Sequence, residues 1–170
     1  MGLQYEDLNE SIREYMVSEY ERDIREDNLY FSVRLSPQGI EDWPELLRAA
    51  LAEGSDESLA EEITKPGRLN QHDLRQGRPI KMNKNAHLTL AEGEFNRFYI
   101  RGVCRRAVEE GRQVVAYRAR FSSEPRSSSL AVDGTAFDPA LLLEDLRAHP
   151  GTEPQHGFPG PNSGMSIRLE

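Results

Sequence analysis

Between Leu90 and Glu110 the chain has little choice but to form one long helix. Thr89 and Glu92 stand three residues apart, as a capping box requires, and Gly111 is placed to close the far end. Ala91, Phe95, Phe98, Tyr99, Gly102, Val103 and Ala107 recur at steps that put them on one stripe. Whatever else the chain builds must cover that stripe.

The flanking segments supply the cover. Residues 5–26 read as an amphipathic helix through Leu8, Ile12, Tyr15, Met16, Tyr20 and Ile24. Leu29, Phe31, Val33 and Leu35 alternate with polar neighbours, which predicts a half-buried strand ended by a turn at Ser36–Gly39. A short helix is expected from about Trp43, capped by Asp42 with Glu45 in answer, and a second from Ser55 carrying Leu59 and Ile63. Gln113–Phe121 reads as a strand with Val115, Tyr117, Ala119 and Phe121 on one face, and Leu130–Val132 as a second. Asp138-Pro139 opens a last helix bearing Leu141, Leu142, Leu143 and Leu146. Residues 64–86 show no period and read as a long basic loop. From His149 to Glu170, prolines and glycines oppose regular structure and predict an extended tail, docked through Phe158, Met165, Ile167 and Leu169 on its own body or on a partner. The expected architecture is α+β: a small, mostly antiparallel sheet packed by helices on one face, one domain over 1–148, and the tail over 149–170.

Charge is segregated along this order. Residues 1–64 carry 5 basic and 17 acidic side chains, residues 65–129 carry 14 and 6, and residues 130–170 carry 2 and 6. A basic middle in a chain of net charge −8 asks for a polyanion, an acidic partner, or the protein's own acidic first helix. Glu94, Arg97, Arg101 and Arg105 share one helix face, a surface for phosphate or carboxylate or else a face that pairs with the first helix. Arg118 and Arg120 share a strand face and, with Arg126 and its serines, make the best local candidate for an anion pocket.

Other chemistry is poorly supplied. The lone Cys104 rules out an internal disulfide, and His72, His87, His149 and His156 lack the close pairing of metal ligands, so no metal is expected. His87, Glu92, Glu94, Tyr99 and Cys104 can be drawn as a catalytic set, but the cap and the core already claim Glu92 and Tyr99. No phosphate loop, hydrolase elbow or dinucleotide fingerprint is present, and no cofactor is implied. No apolar run spans a bilayer, and the acidic start does not resemble a signal peptide, so a cytoplasmic protein without membrane partners is expected. The leading expectation is a non-enzymatic interaction or assembly component that binds itself or another protein. The alternatives are nucleic-acid binding through residues 65–129, and an enzyme holding a phosphorylated or carboxylated substrate on Arg118 and Arg120.

Overall fold

The computed structural model describes residues 2–151 and 154–170. Among these, six helices and five strands follow one another as α1 (Glu10–Arg25), α2 (Pro37–Glu53), α3 (Asp56–Ile63), β1 (His72–Arg75), β2 (Arg78–Lys81), α4 (Ala86–Glu110), β3 (Val114–Arg118), α5 (Ser127–Val132), β4 (Ala136–Phe137), α6 (Pro139–Ala148) and β5 (Met165–Leu169). The fold is α+β, with two small antiparallel sheets.

α4 is the axis of the core, and α1, α3 and α6 pack on it. Phe95, Phe98, Tyr99, Ile100, Val103 and Cys104 are buried, each apolar side chain contributing about 1.5–3 kcal/mol of burial. The crossing with α1 is closest at a glycine. A Cβ on Gly102 would stand 3.0 Å from Met16 Cγ and 3.1 Å from the Ile12 carbonyl oxygen. Gly111 ends α4 in the left-handed conformation, as its position predicts. The capping box does not form. α4 begins a turn earlier, after Asn85; Thr89 donates to the Ala86 carbonyl, and Glu92 pairs with Arg120.

Ser55 caps α3 and Asp138 caps α6, each by accepting backbone amides of the first turn. α2 departs from expectation. Ser36, not Asp42, is its N-cap, Pro37 takes the first helical position, and Pro44 lies inside the helix. Asp42 is left on the surface of α2, where Arg68 Nε donates to it at 2.7 Å.

The segment 29–35 is not a strand. Ser32 is buried while Phe31 and Val33 face outward, the reverse of the sequence alternation. No neighbouring strand is available to it beyond a single bridge, Leu35 to Leu69. The Asn70 amide instead donates to the Val33 and Leu35 carbonyls, and Trp43 Nε1 donates to that of Tyr30. Leu130–Val132 is likewise helical, in α5. The second strand forms at Ala136–Phe137, after a turn in which Gly134 takes φ 78°.

β3 lies at the centre of the larger sheet, between β4 and β5, both antiparallel to it. Val114 opposes Leu169, Ala116 opposes Ile167 and Arg118 opposes Met165. The expectation of a tail without regular structure therefore fails at Met165–Leu169, which is a sheet strand with Met165 and Ile167 in the main core. Phe158 is buried with them, and Leu169 is partly buried at the edge of that core. Thr152 and Glu153 of the expected tail lie outside the described residues. Residues 2–7 strap the body together. The Leu3 amide donates to Asp56, the Gln4 amide to the Ala119 carbonyl, and the Asp7 amide to the Tyr99 hydroxyl, while Asp7 Oδ2 accepts the Leu169 amide at 2.8 Å.

Candidate functional site

Three of the arginines expected to hold an external anion point inward instead. Arg101 is wholly buried, its fork closed bidentately on Asp23 at 2.6 and 2.8 Å and its Nε donating to Glu19 at 2.9 Å. Arg147 from α6 also donates to Glu19, at 2.6 and 3.0 Å, and Arg105 approaches it at 3.5 Å. Burial alone would raise the Glu19 carboxyl, but the hydrogen bonds from Arg147 and Arg101 outweigh it and hold the group below the usual range. Arg97 Nη1 donates to the Leu146 and His149 carbonyls, satisfying the C-terminal end of α6. The acidic first helix and the basic middle thus neutralise each other across the α1–α4 interface.

The strand arginines divide. Arg120 is taken by Glu92 and Asn162, and Arg126 by the Pro161 carbonyl. Arg118 Nη2 is buried without a hydrogen-bond partner among the described residues. Among the described residues the three share no hydrogen-bond partner. Cys104 is sealed in the core, where burial pushes its thiol far up and leaves it inert. No group of three His, Cys, Asp or Glu residues among those described is placed to hold a metal ion.

Two surfaces remain. The first is a two-stranded hairpin in the stretch expected to be a loop. His72 pairs with Lys81 and Arg75 with Arg78, around Gln76-Gly77, both at positive φ as a type I′ turn demands. Every residue from 72 to 81 except Asp73 is exposed, so neither face carries the alternation by which a strand is recognised. Arg75, Arg78, Lys81 and Lys84 give this arm a basic surface, with Leu74 and Ile80 exposed at 65% and 41%. Arg34 ties it to the body through Asp73 at 3.1 Å.

The second is a cleft of about 670 Å³ beside the first turns of α4, walled by residues 32–34, 73–74 and 159–165. Its charged lining among the described residues is Arg34, Asp73, Glu92, Glu94 and Arg97. Glu92 and Glu94 are both held above the ordinary carboxylate range by burial, Glu92 against the opposing pull of Arg120 and Glu94 against that of Arg97 and Arg101. Glu92 is therefore a cleft residue, not a cap. Tyr99 and Cys104 do not line the cleft, so the set that can be drawn on the sequence is not assembled.

Comparison with protein families, curated proteins and solved structures finds no match for this chain. No helix among the described residues is long and apolar enough to cross a membrane.

Proposed function

We propose that the protein is a non-enzymatic assembly component that docks its basic hairpin on the acidic side of a second copy. The observation that carries this reading is how the basic middle divides. Arg97, Arg101 and Arg105 are occupied inside the molecule, whereas Arg75, Arg78, Lys81 and Lys84 stand exposed on an arm with two unpaired strand edges. An isolated hairpin is marginal in water and gains order from a surface laid against it. The complementary surface is present on the same chain. Glu10, Glu14, Glu21, Glu41, Glu45 and Glu53 are exposed on α1 and α2. Opposite patches in different places favour a head-to-tail contact over a two-fold one. Exposed Leu74 and Ile80 add apolar area to the arm, which a purely electrostatic contact would not need.

Light scattering on the eluting protein at low and high salt tests this, using the wild type and the double variant Arg75→Glu/Arg78→Glu. Wild type should self-associate at low salt and dissociate as salt screens the contact, and the variant should remain monomeric. A wild-type monomer at all concentrations, or a variant that assembles equally, refutes the reading. Binding of duplex DNA or RNA through the same arginines, without self-association, would replace it with the nucleic-acid reading, since a two-stranded ribbon fits a major groove.

A further inference from the structure

The geometry points to the cleft beside α4 as a binding site for a compact organic cation, an ammonium or guanidinium group held against the Glu94 carboxylate. This goes beyond the assembly reading and does not depend on it.

The first support is a sorting of the charges that line the cleft. Arg34 is engaged by Asp73 and the Thr89 hydroxyl, each at 3.1 Å. Arg97 is directed to the end of α6, and Glu92 is closed by Arg120. Asp73 accepts both Arg34 and the Leu74 amide. Glu94 differs from all of these. It is only 6% exposed, it accepts no hydrogen bond from any described residue, and its nearest cation, Arg97 Nε, stands at 3.8 Å. That separation is an ion-pair distance and too long for a hydrogen bond. A buried carboxylate left in this state is costly unless a donor reaches it, and Glu94 is among the residues that line the cleft.

The second support is independent of charge. Gly93 lies well inside α4, where glycine is about 1 kcal/mol worse than alanine. Nothing in the backbone asks for it. Its φ is not positive, and a Cβ built there meets no atom within 4 Å. Gly102, on the same helix, is required by the approach of α1, but Gly93 has no such reason. What its missing side chain does is leave room, since Gly93 lines the cleft next to Glu94. The volume falls within the range that encloses small ligands, about 300–1,000 Å³. A divalent metal is the wrong occupant, because Glu94 has no companion ligand set among the described residues.

Calorimetric titration of the whole chain with agmatine and 1,4-diaminobutane, against succinate as the anionic counterpart, tests the assignment. At least one cation should bind and succinate should not. Cation binding should release protons and tighten as pH rises, because Glu94 must ionise. Glu94→Gln should weaken the cation at least about tenfold, the size of one lost charged hydrogen bond. Gly93→Leu, which keeps the carboxylate and fills the space, should abolish binding while the helical circular dichroism is unchanged. Preference for succinate, no heat from either cation at millimolar concentration, or wild-type affinity in either variant overturns the proposal.

Discussion

Gly93→Ala should make this protein more stable. Glycine inside a helix carries extra backbone entropy in the unfolded chain and costs about 0.8–1.0 kcal/mol relative to alanine. A gain of that size is realised only if the new methyl group strains nothing, and the Cβ position at Gly93 has no neighbour within 4 Å. The expected change is therefore close to the full ~1 kcal/mol, or about 2–4 °C in melting temperature for a chain of this length. Gly102→Ala is the matched control. It collects the same propensity gain but pushes a methyl group to 3.0 Å from Met16 Cγ and 3.1 Å from the Ile12 oxygen. Overpacking of that kind costs ~1–3 kcal/mol, so the net effect is a loss. Urea and thermal melts followed by far-UV circular dichroism would rank the variants Gly93→Ala, wild type, Gly102→Ala. A Gly93→Ala protein that melts at or below the wild-type temperature would refute the reasoning, and with it the idea that this glycine is kept for space.

Two further outcomes follow from the buried charges. Arg101→Ala strands Asp23 in the core and leaves Glu19 to Arg147 and Arg105, and should cost about 3–5 kcal/mol in denaturant melts; a loss under 1 kcal/mol would show that water reaches Asp23. Burial raises the Glu94 carboxyl, so the native state keeps a proton that the unfolded chain gives up, and stability falls as pH rises from the unfolded value through the native one. Melting wild type and Glu94→Gln across pH should therefore give a difference that favours the variant, grows with pH through that window and vanishes in acid, whereas a flat difference would contradict it.

The helices most legible in the sequence are those whose signals agree. α3 and α6 carry their caps at the expected residues, and α4 has its apolar stripe and closing glycine where the spacing puts them. The start of α2 is not legible because Ser36-Pro37 serves equally well as turn and as helix opening, and only the fold decides between them. The hairpin was invisible because periodicity reports burial, and neither of its faces is buried. β5 is the opposite case. The alternation of Met165, Ile167 and Leu169 was plain, but the proline and glycine before it argued for a tail, and its partner strand lies about fifty residues upstream. The arginine face of α4 could be drawn from spacing alone. Its direction could not, because Glu19 and Asp23 lie 82 and 78 residues from Arg101. The cleft is assembled from stretches of chain as far apart as Leu3, Tyr30, Asp73, Glu92 and Met165, so no local motif announces it.

The strap at residues 2–7 has a consequence for how the molecule comes to be made. Its Asp7 carboxylate waits for an amide 162 residues away, and β3 waits for Met165–Leu169. Both partners are made after α1–α6 and β1–β4, at about 5–20 residues per second. Until then Val114 and Ala116 lack one neighbouring strand, and the core lacks Phe158, Met165 and Ile167. A nascent chain that has completed α6 therefore still carries an uncovered apolar strand edge, and termination between α6 and β5 leaves that edge open for good. Fragments of this kind should be prime substrates for chaperones and proteases, because an open strand edge is a template for wrong pairing.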